Sequence, residues 1–375
     1  MIPRASTHAS RLDRWLGPGQ AERISQAMAN WYGPPILVAN VPGRVYACKG
    51  GDFCGPLKGG SFASLLDYAI QRLNRIARGF ARRQGRVVNA GFASLSDLIA
   101  EATTGGKSQC LMFTKAGAAG VAARSNSLWN VGAVPAAGGV GGTTGTGRAC
   151  TRTTTGALTQ QNAAGGDQLH LTTLTVQASV AGQMLLLYDR LWDMTHTMTV
   201  DPRSVDSVNP PTRYQTAALA PGSFISGEVT TVLPAATPTL TCDYMDQDGN
   251  ASTSQTLSTI ASAAAVNTVP FTAPHWFVPL ATADTGLRRM GDAGAGTNAF
   301  NLSAAMASGV VNWFIGHPLA FVPMPLANFP VILDGINSAF NLMRVFDDAA
   351  LCFLEIAKSA TTATNWWGAI QLVSG

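Results

Sequence analysis

Gly309-Val310-Val311-Asn312-Trp313-Phe314-Ile315-Gly316 opens the most apolar block of the chain, which extends over residues 302–373. Three further apolar runs follow it at 319–322, 329–333 and 350–357. Each run is short, rich in Val, Ile, Leu and Phe, and bounded by Gly, Pro or Asn, which is typical of buried β-strands rather than helices. The block therefore predicts strands that face a dry environment, either the chain's own core or a partner's surface.

Prolines interrupt this block at Pro318, Pro323, Pro325 and Pro330. A proline has no N–H group to donate to a sheet ladder, so it is confined to strand starts, edges and connections. We expect these four residues to lie at such places.

Strand patterns recur upstream of the block. Residues 169–180 alternate between apolar and polar side chains, and residues 183–192 form an apolar run. Residues 239–245 lead into Asp246-Gln247-Asp248-Gly249-Asn250, which is typical of a hairpin turn. Residues 271–280 are aromatic and edged by prolines, and they predict another strand. Short strands with frequent turns favour an antiparallel sandwich or barrel.

The N-terminal region carries the helical patterns. Apolar residues recur at helical spacing over residues 62–83, and Ser61 is available as the N-cap. Shorter helices are predicted at 20–31 and at 95–102, the latter with a capping box formed by Ser94 and Asp97. Residues 36–41 and 44–47 predict two short strands around the turn dipeptide Pro42-Gly43.

The fold class that follows is mainly β (α+β overall), with antiparallel β-sandwich or barrel units and a helical, basic N-terminal region. The predicted division is a basic arm with a short helix and strands at 1–60, a helical region at 61–132, a Gly-rich linker at 133–150 and an antiparallel β domain at 151–375.

Composition restricts the function classes. Only 12% of the 375 residues are charged and 46% are hydrophobic, so the chain is too apolar for a disordered protein. No apolar stretch reaches the roughly 20 residues that span a bilayer, and the first residues lack the apolar core of a signal peptide. A chain with so few charges is expected to cover much of its surface within an assembly.

The charge is unevenly distributed. Residues 1–90 hold 13 Lys and Arg against 4 Asp and Glu, whereas the remainder is mildly acidic. The predicted 62–83 helix carries a stripe of arginines, which we interpret either as a solvated basic face or as a docking surface for acidic protein or nucleic acid. The arginines of this candidate surface are Arg72, Arg75, Arg78, Arg82 and Arg83.

Three other patterns suggest chemistry and are better explained by structure. Residues 101–108 resemble a phosphate-binding loop but have Glu101 at the first glycine position, so they predict a helix end. The acidic cluster around Asp246 lacks the spacing of a calcium loop and predicts a turn. His275 and His317 lie in apolar strands and are expected to be hydrogen-bonded core or interface residues.

We therefore predict no catalytic, cofactor-binding or metal-binding residues and no cofactor. The exposed aromatic contacts of an assembly are assigned to Trp313, Phe314 and Phe329. Cys48 and Cys54 could form a disulfide in an oxidising compartment, or remain thiols in the cytosol.

Several stretches resemble structural proteins of tailed bacteriophages. The resemblance covers most of the chain outside the first 30 residues and the Gly-rich segment. The stretches that carry it are SLLDYA at 64–69, LSDLIAEAT at 95–103, LLLYDRLW at 185–192, PTRYQ at 211–215, MASGVVNWFIGHP at 306–318 and NSAFNL at 337–342. None of these motifs has an assigned chemistry, so the resemblance implies membership of a virion without a position in it.

The sequence thus predicts a non-enzymatic, oligomeric virion component, of which a capsid-associated cement or decoration protein is the preferred form. The expected partners are other copies of the chain and other virion proteins, with non-specific nucleic-acid contact through the basic region and no membrane. The alternatives are the major capsid protein itself and, from a different class, a tail-associated receptor-binding or enzymatic protein.

Overall fold

The structure is a computed structural model, and it divides into two compact units, residues 1–86 and 87–375. The residues that it describes are 38–41, 44–47, 55–56, 92, 94–103, 106–117, 124–141, 145–205, 209–257, 260–272, 275–291, 297–336, 342–356 and 363–375.

In the first unit the described residues form one three-stranded antiparallel sheet. Its strands are β1 (Val38–Val41), β2 (Arg44–Ala47) and β3 (Gly55–Pro56), with β2 in the middle. The two predicted strands around Pro42-Gly43 are confirmed. The predicted helices at 20–31 and 62–83, the five arginines of the candidate basic surface, and Cys48 and Cys54 lie outside the described residues.

The second unit begins with a short helix, α1 (Leu95–Thr103), as the capping pattern predicts. The Asp97 amide donates to Ser94 Oγ at 3.1 Å, which satisfies one of the free N–H groups of the first turn. Among the described residues, no helix is long and apolar enough to cross a membrane.

The remainder of the described part of this unit is built from antiparallel strands, so the mainly β fold class is confirmed. The strands are β4 (Ser108–Ala116), β5 (Asn126–Ser127), β6 (Ala133–Val134), β7 (Arg148–Ala149), β8 (Leu169–Ala178), β9 (Gln183–Thr197), β10 (Arg203–Val205), β11 (Phe224–Thr231), β12 (Leu240–Asp246), β13 (Ala251–Thr253), β14 (Leu287–Met290), β15 (Thr297–Leu302), β16 (Val310–Met324), β17 (Val331–Asp334), β18 (Met343–Val345), β19 (Leu351–Ile356) and β20 (Asn365–Ser374).

These strands form three sheets. The central sheet has the order β11-β16-β9-β19-β5, with β7 added to β9. The flanking sheet has the order β17-β8-β20-β4-β6, with β18 added to β8. The small sheet has the order β10-β15-β12-β13, with β14 added to β12. The hairpin of β12 and β13 is the one predicted around residues 246–250.

The central sheet is buried on both faces. Along β9, Leu185 and Leu187 join the core shared with the flanking sheet, whereas Leu186 and Tyr188 join the core shared with the small sheet. Aromatic stacking marks both cores, with ring centroids 4.2 Å apart for Phe113 and Phe353 in the first. A strand with two dry faces has no polar side to alternate with, which explains the near-continuous apolar run of β9.

The first two runs of the C-terminal apolar block form a single strand, β16. Its pairing with β11 stops at Gly316, while its pairing with β9 continues to Met324. Pro318 and Pro323 lie in the part of β16 beyond Gly316. There β16 still pairs with β9 but no longer with β11. The expected edge position of these two prolines is confirmed.

Strand pairings cross the predicted division of the chain. Strand β4 lies within the predicted helical region 61–132, yet it pairs along its whole length with the last strand, β20. Strands β6 and β7 lie within the predicted linker 133–150 and join the flanking and central sheets. The β architecture therefore begins well before residue 151, because its sheets are closed by pairings between distant parts of the chain. The described residues of the range 271–280, which are 271–272 and 275–280, form no strand beyond the single bridge at Phe271, so they do not show the strand that was predicted there.

The described residues of the Gly-rich segment, 133–141 and 145–150, pack against the core and do not form a free linker. A Cβ atom on Gly138 would collide with the Trp129 ring, and one on Gly147 would collide with the Trp192 ring. The Gly138 amide also donates to the Trp129 carbonyl at 2.7 Å. Glycine is needed here because the backbone lies directly on buried indole rings.

We expect Gly138→Ala to lower the free energy of unfolding by about 2 kcal/mol or more, because the added methyl group must displace a buried tryptophan. Gly139→Ala is the matched control, since a Cβ at that position meets nothing within 4 Å. Urea unfolding followed by tryptophan fluorescence measures both variants. Equal stabilities of the two would show that the segment is a loose linker after all.

Candidate interaction surface and buried charges

The central sheet encloses an ionic network. The side chains of Arg190, Asp193 and Glu228 are all 0% exposed. Arg190 Nη2 lies 2.8 Å from Glu228 Oε1, and Arg190 Nε donates to Asp193 Oδ2 at 3.1 Å. Arg148 adds a second guanidinium to Asp193, with Nη2 and Oδ2 2.7 Å apart. Two arginines thus compensate two carboxylates within the core.

Aromatic rings and polar groups complete the shell of this network. The Arg190 guanidinium lies 4.4 Å from the ring centroids of both Trp129 and Phe314. Glu228 accepts from Ser127 Oγ and from Asn312 Nδ2. Burial is the largest influence on the pKa of Arg190 and acts to lower it, but Glu228 and Asp193 outweigh it, so this pKa stays well above its ordinary value. The network therefore holds its charges in fixed positions within the sheet.

A second buried ion pair joins the central sheet to a loop. Arg213 Nε and Nη2 donate to the two carboxylate oxygens of Asp189 at 2.7 and 2.9 Å. The Ala350 amide donates to the same carboxylate at 2.8 Å. This bidentate arrangement ties the stretch PTRYQ at 211–215 to β9, so the conspicuous stretches 185–192 and 211–215 have a structural role.

Ser223 and His317 form the arrangement nearest to a nucleophile and base. Ser223 Oγ lies 3.1 Å from His317 Nδ1, and the imidazole stacks on the Tyr214 ring at a centroid distance of 3.8 Å. Both side chains are buried, and burial lowers the pKa of His317 to about 4. The neighbouring carboxylate, Asp189, is engaged by Arg213. The pair therefore has the features of a hydrogen-bonded core histidine, as the sequence predicts for His317.

Acid is expected to destabilise the fold through His317. The pKa is about 4 when folded and 6.5 when unfolded, so between these values the unfolded chain binds more protons and stability falls as the pH is lowered. At pH 5 the protonation of His317 should lower the free energy of unfolding by about 2 kcal/mol relative to neutral pH. Urea unfolding at pH 7 and pH 5 measures the loss. In His317→Gln, which cannot titrate, the loss should shrink by that amount, and an unchanged pH dependence would contradict the assignment.

The other chemically suggestive patterns have structural roles. Asp246 Oδ1 accepts from the amides of residues 248, 249 and 250, so the acidic cluster is the predicted turn. Lys107, in the phosphate-loop-like stretch, forms ion pairs with Glu101 and Asp167 after α1 has ended. In the described part of the chain, no group of three or more His, Cys, Asp or Glu side chains is placed to hold a metal ion.

The surface with the clearest features is the outer face of the flanking sheet, which we define by three rows of side chains pointing away from the core. Strand pairing sets the rows, because directly opposite residues lie on one face. The rows are Thr114–Trp367–Gln177, Met112–Ala369–Thr175–Ile332 and Cys110–Gln371–Thr173–Asp334.

This outer face is exposed and almost free of charge. Met112 is 74% exposed and Ile332 is 61% exposed, at opposite ends of the middle row. Asp334, at one corner, is the single charged member of the three rows. Charged side chains normally occupy a large share of solvent-facing sheet positions, whereas the cores of protein interfaces are depleted in them. The outer face therefore has the composition of a surface that a protein covers.

The structure corrects two of the predicted interaction residues. Trp313 and Phe314 are fully buried, and the Trp313 ring stacks on Phe300 at a centroid distance of 4.8 Å. Both faces of β16 are covered within the chain at these two residues, so neither side chain reaches a partner. Phe329 is 58% exposed in the loop before β17, which is compatible with its predicted contact. The arginines of the basic surface lie outside the described residues.

Three acidic residues near the C-terminus have partners within the second unit. Asp348 pairs with Arg152 at 3.0 Å, and Asp347 accepts from the Ala163 amide. Glu355 is buried and lies beside Asn126. These three carboxylates therefore have partners within their own unit.

Sequence reasoning missed the outer face, although part of its signal was present. Strand β4 alternates Phe113 and Lys115 towards the core with Cys110, Met112 and Thr114 towards solvent. The outward-facing side chains of β4 are uncharged, but the sequence does not show that β4 pairs with β20. The buried Lys115 disguises the pattern further, because its ammonium donates inward to the carbonyls of Val131 and Pro135.

Comparisons with known proteins leave the family open. No model of a known protein family and no curated protein matches the sequence. Among solved structures, that of infectious bursal disease virus Gx strain aligns at 10% identity with a TM-score of 0.16, covering 72% of this chain and 80% of the other. The VP2 subviral particle of the same virus aligns at 10% identity with a TM-score of 0.14, covering 71% and 80%. Likenesses this weak carry no argument about fold or function.

Proposed function

We propose that the chain is a non-enzymatic structural component of a bacteriophage virion, a cement or decoration protein that stabilises the head by subunit packing. The observation that carries the proposal is the outer face of the flanking sheet, whose three rows contain a single charged side chain, Asp334. The low charge of the chain and the burial of Arg190, Asp193 and Glu228 within the unit support it. The sequence resemblance to tailed-phage structural proteins supplies the virion context.

The size of the outer face fits a repeated contact better than a solitary one. Four strands about 4.8 Å apart and five residues deep cover roughly 300 Å² in projection. A standard interface buries about 800 Å² on each partner. One such contact is weak, and binding through many copies on a lattice raises the effective affinity.

The proposed partners are other copies of the chain and other virion proteins, and the proposed location is the virion. Non-specific contact with nucleic acid is assigned to the basic residues of the first 90 positions, through attraction to phosphate groups. No membrane is involved in this scheme.

The number of copies per particle tests the proposal. Quantified gel bands from purified particles should give hundreds of copies, as a shell or cement protein requires. Tens of copies or fewer would contradict the proposal and favour the tail-associated class. If the chain alone forms closed shells, it is the major capsid protein, an alternative favoured by the order of basic arm and predicted long helix in the sequence.

A charge placed on the outer face should reduce incorporation into particles. Met112→Asp puts a carboxylate in the middle row, where burial against a neighbour would leave it unpaired, so incorporation should fall at least about tenfold. Val232→Asp is the matched control, since Val232 is also an exposed apolar residue but lies outside the three rows. Particle-bound protein relative to total protein gives the readout, and equal incorporation of both variants would contradict the role of this face.

A further inference from the structure

The loop between β16 and β17 presents apolar side chains to solvent. Every residue from 325 to 330 is exposed, and no charged residue occurs from 322 to 333. Leu326 and Phe329 are each 58% exposed. We call these two side chains the knob. Singly exposed apolar residues are ordinary on protein surfaces, but here two lie in one uncharged loop, and Ile332, 61% exposed, follows three residues after Phe329.

The backbone holds the knob in a fixed position. The Gly182 amide donates to the Met324 carbonyl at 2.7 Å, and the Asn328 amide donates to the Ala178 carbonyl at 2.7 Å. Gln177 Nε2 donates to the Asn328 carbonyl at 2.8 Å. Asn328 adopts the left-handed conformation, with φ of 57°, which asparagine tolerates well. A loop fixed in this way loses little entropy when it binds.

An apolar pocket opens at the same edge of the flanking sheet. It is lined by uncharged residues, among them Leu171, Leu319, Phe321, Leu333 and Met343. Its volume is about 190 Å³. An apolar cavity of about 150 Å³ is known to hold benzene, so this pocket has room for a phenyl ring.

Knob and pocket are close together on the surface. Leu333 of the pocket follows Phe329 of the knob by four residues along β17, a separation of about 13 Å in an extended strand. A projection and a recess of matching size, both uncharged and side by side, are what a two-fold contact between identical chains needs, because each copy then supplies one of each.

We propose that Phe329 of one copy inserts into this pocket of a second copy, and that the second copy returns the same contact. The inference rests on the self-association within the proposed function and adds the residues through which it occurs. Leu326 packs beside the inserted ring, and Ile332 continues the contact onto the outer face. No charge has to be desolvated on either side.

Sedimentation of the full chain over a concentration series tests this contact. Phe329→Asp should weaken dimerisation at least about 100-fold, because the symmetry removes two buried rings at once. Met343→Lys should weaken it as well, by placing an ammonium in the pocket. A mixture of the two variants should dimerise again, since one contact regains the native ring and the other pairs the introduced carboxylate with the introduced ammonium. Val232→Asp should dimerise like the native chain.

The outcomes separate this inference from the function proposed above. If Phe329→Asp dimerises normally while Met112→Asp does not, self-association through the outer face remains and the knob contact is overturned. A mixture that stays monomeric also overturns the knob contact. A native chain that is monomeric at every concentration overturns the two-fold contact, while the copy number in particles still decides the function. Far-UV circular dichroism of each variant verifies that the fold is retained.

Discussion

Arg190→Met is expected to lower the free energy of unfolding by about 3 to 5 kcal/mol, since it leaves Glu228 without its guanidinium partner in a fully buried site. Asp193 keeps Arg148, so the uncompensated charge is that of Glu228. The variant also loses the stacking of the guanidinium between Trp129 and Phe314. Urea unfolding followed by tryptophan fluorescence measures the change.

Arg152→Met is the matched control for this experiment. Arg152 also pairs with a carboxylate at about the same distance, but Asp348 is 54% exposed and water compensates its charge. Exposed pairs contribute at most about 1 kcal/mol, so the control should change stability little. If Arg190→Met and Arg152→Met lower the free energy of unfolding by the same amount, the ionic network is not the dry, charge-compensated cluster described above.

Trp313→Ala is expected to lower the free energy of unfolding by about 3 to 5 kcal/mol. In the fraction that folds, association between copies should be unchanged. The indole packs on Phe300, donates from Nε1 to His196 Nδ1 at 3.1 Å, and faces Gly227, where a Cβ would collide with its ring. Removing it opens a cavity and leaves an unpaired ring nitrogen.

Phe329→Ala should show the opposite pattern. This side chain is mostly exposed, so its removal should change stability by less than about 0.5 kcal/mol while weakening self-association. Measuring unfolding and sedimentation on both variants separates a core role from a contact role. A stable Trp313→Ala chain that fails to associate would return Trp313 to the interface, where sequence reasoning had placed it.

Local patterns predicted the local structure well. The capping residues of α1, the Pro42-Gly43 turn and the Asp246 turn depend on neighbouring residues, and all three were found. The apolar runs predicted strands because a strand in a dry environment needs no polar alternation. The same runs could not say whether the dry environment belonged to the chain or to a partner, which is why Trp313 and Phe314 were misassigned.

Properties that depend on distant pairing were beyond the sequence. Strand β4 lies beside β20 although some 250 residues separate them in the sequence, so the nearly charge-free rows of the outer face become visible only when the strands are aligned. The ionic network likewise joins Arg148, Arg190 and Glu228 from three strands. The glycines near Gly138 suggested flexibility because glycine serves both mobile linkers and close packing, and only the position of the indole rings distinguishes the two.

The central claim, that neighbouring subunits cover the outer face, is tested most directly by the reactivity of the Cys110 thiol. Cys110 is exposed and lies in one of the three rows, whereas Cys150, Cys242 and Cys352 are buried. Maleimide labelling, read by mass spectrometry on the peptide that contains Cys110, should be fast in the isolated chain and strongly suppressed in assembled particles. Labelling of Cys110 at the same rate in both states would contradict the claim.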